Sequence, residues 1–191
     1  MGGRGRALSA RLFVALEIGE EDRLALAGWA QEVVGEDRGM RVVAPESVHL
    51  TMAFLGHRAL DEIEPLSALV ASFDGRPAPG PLETAGALWL SPRRPHVLTV
   101  AVADRTGVLR TLHEELWRGL DELGHVREQR MFRPHLTVAR VRHGWTAPSS
   151  RLPEFPDRPL RPAGLVLLRS WLGGGPARYE ALSHARFGGE S

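Results

Sequence analysis

The chain contains no cysteine, no lysine and no asparagine, so all 24 of its Lys+Arg positions are arginine. Without cysteine there is no thiol nucleophile, no disulfide and no thiolate metal site. Without lysine there is no Walker-type phosphate loop, no Schiff base and no lysine nucleophile of the kind that carries a nucleotide in ATP-driven ligases. Arginine replaces lysine in none of these roles, because it stays protonated in proteins. The side chains that titrate near neutrality are the 8 histidines, and acid–base chemistry is expected to run on them. No stretch approaches the ~20 apolar residues of a membrane span, and the N-terminal segment lacks the apolar core of a signal peptide. A cytoplasmic, soluble protein is the expectation. The formal net charge of +1 is too balanced for a protein that coats nucleic acid, so any RNA contact is expected to be local.

A length of 191 residues can hide roughly 70% of the unfolded surface and form a substantial core. Residues 1–8 read as a flexible tail, 9–188 as a single domain and 189–191 as a second tail. Strand-length apolar runs fall at Arg11–Ile18, Val48–Gly56, Leu82–Leu90, Val97–Val102, Arg133–Arg142, Leu165–Leu172 and Ala177–Phe187. Helical spacing marks Glu20–Glu36, with Leu24, Ala27, Ala30 and Val34 inward, and Leu60–Phe73. A third helix, capped by Asp104, runs to Leu123 with that leucine on its inner face, and Gly124 stops it. Thr146–Gly164 is proline-rich and expected to wrap the surface. This order of elements implies an α+β protein with much antiparallel pairing.

One sequence echo stands out: VHLTMA at Val48–Ala53 and PHLTVA at Pro134–Ala139 carry the same His-Leu-Thr at the same place in a strand. Residues i and i+2 of a strand share a face, so His49 projects with Thr51 and His135 with Thr137, while Leu50 and Leu136 turn into the core. If the two segments face across a groove, two imidazoles and two hydroxyls converge. One neutral imidazole can take a proton from water, one protonated imidazole can give a proton to a departing oxygen, and the hydroxyls can hold nonbridging phosphate oxygens. An unperturbed histidine pKa of about 6.5 makes both states accessible. There is no H-E-x-x-H and no cysteine, so neither a catalytic metal nor a cofactor is expected.

With these motifs, and with the flanking runs RLFVAL, ALWLSPRRPHVLTVAV, FRPHLTVAR and LLRSWLGGGPARYEAL, the sequence resembles the 2H phosphoesterases. The resemblance is to their RNA 2′,3′-cyclic phosphodiesterase branch, also called 2′-5′ RNA ligase or LigT-like. It implies a bilobal α+β unit of two similar lobes, each with an antiparallel sheet and helices, and a groove between them lined by both motifs. It carries the catalytic roles onto His49, Thr51, His135 and Thr137, with His135 as base and His49 as acid. The implied reaction is hydrolysis of an RNA or nucleotide 2′,3′-cyclic phosphate to a 2′-phosphomonoester, with a reversible 2′-5′ RNA ligation, in which a 5′-hydroxyl joins the cyclic end without ATP, as a second reaction of the same groups. A 2′,5′-oligonucleotide phosphodiesterase and a noncatalytic module binding RNA ends are the competing readings. RNA ends or nucleotides with a cyclic phosphate are the expected partners, with no protein partner and a monomeric chain.

Phe13 matches an aromatic position beside the nucleobase, and Arg140 matches an arginine that offsets phosphate charge. Strand parity puts Arg140 on the face opposite His135 unless a bulge intervenes. Arg133 has the right parity and Arg130 lies just upstream, so both are further phosphate-binding candidates. Arg93 and Arg94 are read either as contacts to RNA backbone at the groove mouth or as an exposed turn.

Overall fold

The computed structural model describes residues 8–90, 94–127, 131–147, 152, 154–155, 158–171 and 177–188. Arg93 and Arg130 lie outside the described residues.

Among the described residues nine strands form one antiparallel sheet: β1 (Ser9–Ile18), β2 (Met40–Val42), β3 (Leu50–Ala59), β4 (Leu82–Leu90), β5 (Val97–Ala103), β6 (His135–Val141), β7 (Pro159–Leu160), β8 (Pro162–Trp171) and β9 (Arg178–Arg186). The order across the sheet is β7-β4-β5-β6-β3-β1-β8-β9, with β2 pairing off this path onto β6. The helices α1 (Glu20–Val34), α2 (Ile63–Ala71) and α3 (Val108–Glu122) complete the expected α+β composition. One half of the sheet is built from β3, β1, β8 and β9 and the other from β5 and β6 with their neighbours. The two halves meet at a single β3–β6 pair, Leu50 opposite Leu136. Both leucines are fully buried in the main core, which anchors this junction by apolar burial on the face away from the histidines.

Local chemistry explains the helix positions. Asp104 accepts the backbone N–H groups of Leu109 (3.2 Å) and Arg110 (2.8 Å), so it satisfies orphan donors at the start of α3. Gly124 takes the left-handed conformation (φ 83°) that ends the helix. On α1 the inward stripe is Asp22, Leu26, Ala27, Ala30 and Val34; Leu24, expected inward, is instead exposed. The reason is Asp22: its buried carboxylate accepts from Arg158 Nη2 (2.8 Å) and the backbone N–H of Arg161 (2.8 Å), which fixes the helix rotation. Leu123 is likewise exposed rather than inward, because it lies past the last turn of α3.

The proline-rich stretch does more than wrap the surface. Phe155 is buried edge-on against Trp29 (ring centroids 5.3 Å), β7 adds a pair to β4, and β8 starts at Pro162. The strand β2, three residues long, has too few residues to show a period.

Candidate active site

The face that carries both motifs is organised by the Leu50–Leu136 pair. Continuing the antiparallel register one residue either way sets Thr51 beside His135 and His49 beside Thr137. Direct cross-strand neighbours have Cβ atoms about 5 Å apart and diagonal ones about 7–8 Å. On that register the two histidines are diagonal neighbours and the two threonines lie on the other diagonal, and His135 is near enough for its charge to act on His49. Two adjoining cavities open over this face. One, of about 180 Å³, is lined by His49, Thr51, Thr137 and Arg140 among others; the second, of about 310 Å³, is lined by Thr51 and His135. They share Thr51 and Phe54, so the motifs border one continuous groove.

Both strands break their alternation at the same place. Across β1–β3, Ala15 pairs with Thr51 but Val14 with Ala53, which leaves Met52 as an extra residue. Across β5–β6, Thr99 pairs with Thr137 but Leu98 with Ala139, which leaves Val138 extra. After each threonine two consecutive residues are buried, Met52 with Ala53 and Val138 with Ala139. A bulge of this kind re-aims everything beyond it. Arg140 thus returns to the face of His135 and Thr137 and lines the groove, which resolves the parity conflict in its favour. The same device in β3 returns Phe54 to the groove face.

Each histidine is held by the carbonyl two residues before it. His135 Nδ1 lies 2.7 Å from the carbonyl oxygen of Arg133, and His49 hydrogen-bonds the backbone of Ser47. A ring that donates Nδ1–H to a carbonyl turns its other nitrogen away from that bond, free to meet substrate.

A family model described as the 2′-5′ RNA ligase superfamily matches residues 24–170. The chain belongs to the 2′-5′ RNA ligase superfamily. It is 34% identical over 149 residues to a Thermus thermophilus protein named RNA 2′,3′-cyclic phosphodiesterase, covering 75% of this chain and 72% of the relative. An Archaeoglobus fulgidus protein of the same name is 30% identical over 132 residues, 69% of this chain and 73% of the relative. Among solved structures, one from Thermus thermophilus superposes with TM-score 0.75 at 32% identity, covering 95% and 100% of the two chains. Escherichia coli LigT, crystallised with 3′-AMP, shares the fold with TM-score 0.73 at 22% identity, over 94% and 99% of the chains.

Within this superfamily member the two histidines occupy unlike surroundings. Burial pushes His49 down to about 4, and the nearby charges of Arg140 and His135 push the same way, against the Ser47 bond. Its ring packs 5.1 Å from Phe13 and 5.3 Å from Tyr179. Phe13 lines the groove but is only 5% exposed, so its ring serves as a platform beneath His49. Both rings are half-buried, and His135 borders the second cavity rather than the one that holds His49. Arg133 holds His135 through its carbonyl and lines the second cavity with its side chain. Arg94 is exposed at a bend before β5, where its carbonyl oxygen lies 2.9 Å from His96 Nδ1.

Tyr179, Arg11, Phe54, Ser47 and Ser170 also line the groove and were not singled out by sequence patterning. Only the register and the bulges bring them to it. Among the described residues no group of three or more His, Cys, Asp or Glu side chains could hold a metal ion, and no helix is long and apolar enough to cross a membrane.

Proposed function

We propose that this chain is an RNA 2′,3′-cyclic phosphodiesterase that works by two-histidine acid–base catalysis. The observation that carries the reading is the Leu50–Leu136 pair, which crosses the two His-Leu-Thr segments so that each histidine neighbours the other segment's threonine. Names borne by relatives at 30–34% identity supply the substrate class, a 2′,3′-cyclic phosphate at an RNA end.

A cyclic phosphate seated between the diagonal histidines meets the Thr51 and Thr137 hydroxyls at its nonbridging oxygens, while Arg140 offsets its negative charge. Water attacks phosphorus in line with the 3′-oxygen. The new P–O bond forms as the bond to the 3′-oxygen breaks, and the product is a 2′-phosphomonoester with a free 3′-hydroxyl. One histidine takes the water's proton and the other delivers a proton to the 3′-oxygen. The motif resemblance suggests His135 as base; the burial of His49, which holds that ring neutral in the empty groove, favours the converse, with His49 as base and His135 as acid. With a 5′-hydroxyl end in place of water, the same groups can join the two ends without ATP: the 5′-oxygen gives its proton to one histidine and bonds to phosphorus, the bond to the 3′-oxygen breaks with a proton from the other, and a 2′-5′ diester results.

Incubation with a 2′,3′-cyclic mononucleotide or a cyclic-ended oligoribonucleotide in excess chelator tests the proposal. A 2′-phosphate product is expected, and its absence, or undiminished turnover by His49→Ala, overturns it. A 2′,5′-linked dinucleotide offered alongside separates this reading from a 2′,5′-oligonucleotide phosphodiesterase.

A further inference from the structure

Beyond the His, Thr and Arg140 side chains, the groove holds a second guanidinium. Arg11 lines the same cavity as His49, Thr51, Thr137 and Arg140. Its Nη1 donates to Ser170 Oγ (3.3 Å), and its guanidinium carbon stands 4.7 Å over the ring of Phe54, itself 39% exposed. Among the described residues no carboxylate lies within ion-pairing distance of Arg11 or of Arg140.

The placement is built by the sheet. Arg11 sits opposite His57 on β3 and Ser170 on β8, and Ser170 sits opposite Tyr179 on β9, so these four share a face. That row is two residues along β1 from Phe13, the platform under His49, a backbone displacement of roughly 7 Å. The bulge after Thr51 returns Phe54 to the position relative to His49 that Arg140 holds relative to His135, five residues on. Where the second motif carries a cation, the first carries an aromatic ring with Arg11 laid on it. An arginine on an aromatic face is held as a flat, oriented fork, which lowers the entropy cost of gripping an anion.

A cyclic phosphodiester carries one negative charge, and Arg140 already stands beside the histidines to meet it. We infer that Arg11 binds a second phosphate, the one on the 5′ side of the terminal ribose, and so makes the enzyme prefer cyclic-phosphate ends that belong to a polynucleotide. This rests on the phosphodiesterase reading above and adds the specificity that follows from a second anion site one nucleotide from the first.

The test is substrate preference. The ratio of kcat/KM for adenylyl-adenosine 2′,3′-cyclic phosphate over adenosine 2′,3′-cyclic phosphate should fall about tenfold in Arg11→Gln, equivalent to about 1.4 kcal/mol. Adenosine 5′-phosphate 2′,3′-cyclic phosphate, which carries a 5′-side phosphate, should behave like the dinucleotide, and behaviour like the mononucleoside substrate overturns the inference. Arg11→Lys, which keeps the charge but not the stacked fork, should show a preference between those of wild type and Arg11→Gln. An unchanged ratio in Arg11→Gln, an equal loss on both substrates, or a Lys variant as poor as the Gln variant overturns the inference. Calorimetric titration with adenosine 2′,5′-bisphosphate against adenosine 2′-monophosphate needs no turnover. Wild type should bind the bisphosphate about tenfold more tightly, and Arg11→Gln should lose that margin. Wild type that fails to hydrolyse any cyclic phosphate yet shows this margin would refute the proposed function and keep the second anion site; no margin in wild type overturns the site itself.

Discussion

Lowering the pH from 7 to 4.5 should destabilise the fold through histidines that are buried neutral, and His113 on α3 shows why. Its ring stacks on Phe132 (centroids 3.8 Å apart, 12° between planes) and is only 4% exposed. Trp117 Nε1 donates to its Nε2 at 3.1 Å, and Arg127 Nη2 lies 2.8 Å from its Nδ1. Protonation would remove the acceptor Trp117 uses and set a second positive charge against Arg127. Burial first, and the Arg127 charge second, push the ring down to about 4. The folded pKa lies below the unfolded 6.5, so the unfolded chain binds the proton more tightly. The stability is present in full above about pH 6.5 and is lost as pH falls toward about 4. At pH 4.5 the loss from this one group is about 2.5 kcal/mol, a large part of a typical total of roughly 5–15 kcal/mol. His49 adds a similar amount by the same reasoning, and burial pushes His125 in the same direction. Urea unfolding of wild type and of His113→Gln, whose amide oxygen can still accept from Trp117, isolates the effect. The wild type should lose about 2.5 kcal/mol more than the variant between pH 7 and 4.5. Equal losses would refute the assignment of a neutral buried ring.

Gly164→Ala should destabilise by at least about 2 kcal/mol in thermal melts, because its Cβ would stand 2.2 Å from the backbone oxygen of Ala185 on the neighbouring strand. Asp22→Ala should cost about 1–3 kcal/mol in chemical denaturation, since it removes the 2.8 Å partner of Arg158, which keeps only Glu21 at 3.9 Å, and leaves the Arg161 N–H unsatisfied. If His49 is the base in the free enzyme, kcat/KM should stay high on the acid side until pH falls to about 4. A kcat/KM that instead declines steadily as pH rises above about 4 would assign His49 the acid role.

The sequence carried the parts of this architecture that depend on local period. The duplicated His-Leu-Thr, with leucine inward and its neighbours outward, follows from strand alternation, and the Asp104 and Gly124 ends of α3 follow from capping chemistry. What it concealed depends on register. Nothing in the composition of HLTMAF or HLTVAR marks Met52 or Val138 as bulged residues, yet those bulges decide that Phe54 and Arg140 reach the groove. Asp22 outweighed the apolar period of α1 because its partners, Arg158 and Arg161, come from a distant and irregular segment. Roles within the histidine pair were equally hidden, since they rest on how closely Phe13 and the remote Tyr179 enclose His49.

The proposed catalysis turns on His49 and His135 acting on one phosphate as a unit. Single-turnover cleavage of a cyclic-ended oligoribonucleotide by wild type, His49→Ala, His135→Ala and the double variant measures that directly. Each single substitution should slow cleavage by about 10²–10⁴-fold, and the double variant should be little slower than either, because residues that act together are not additive. Losses that multiply in the double variant, or a single variant that cleaves at the wild-type rate, would contradict it.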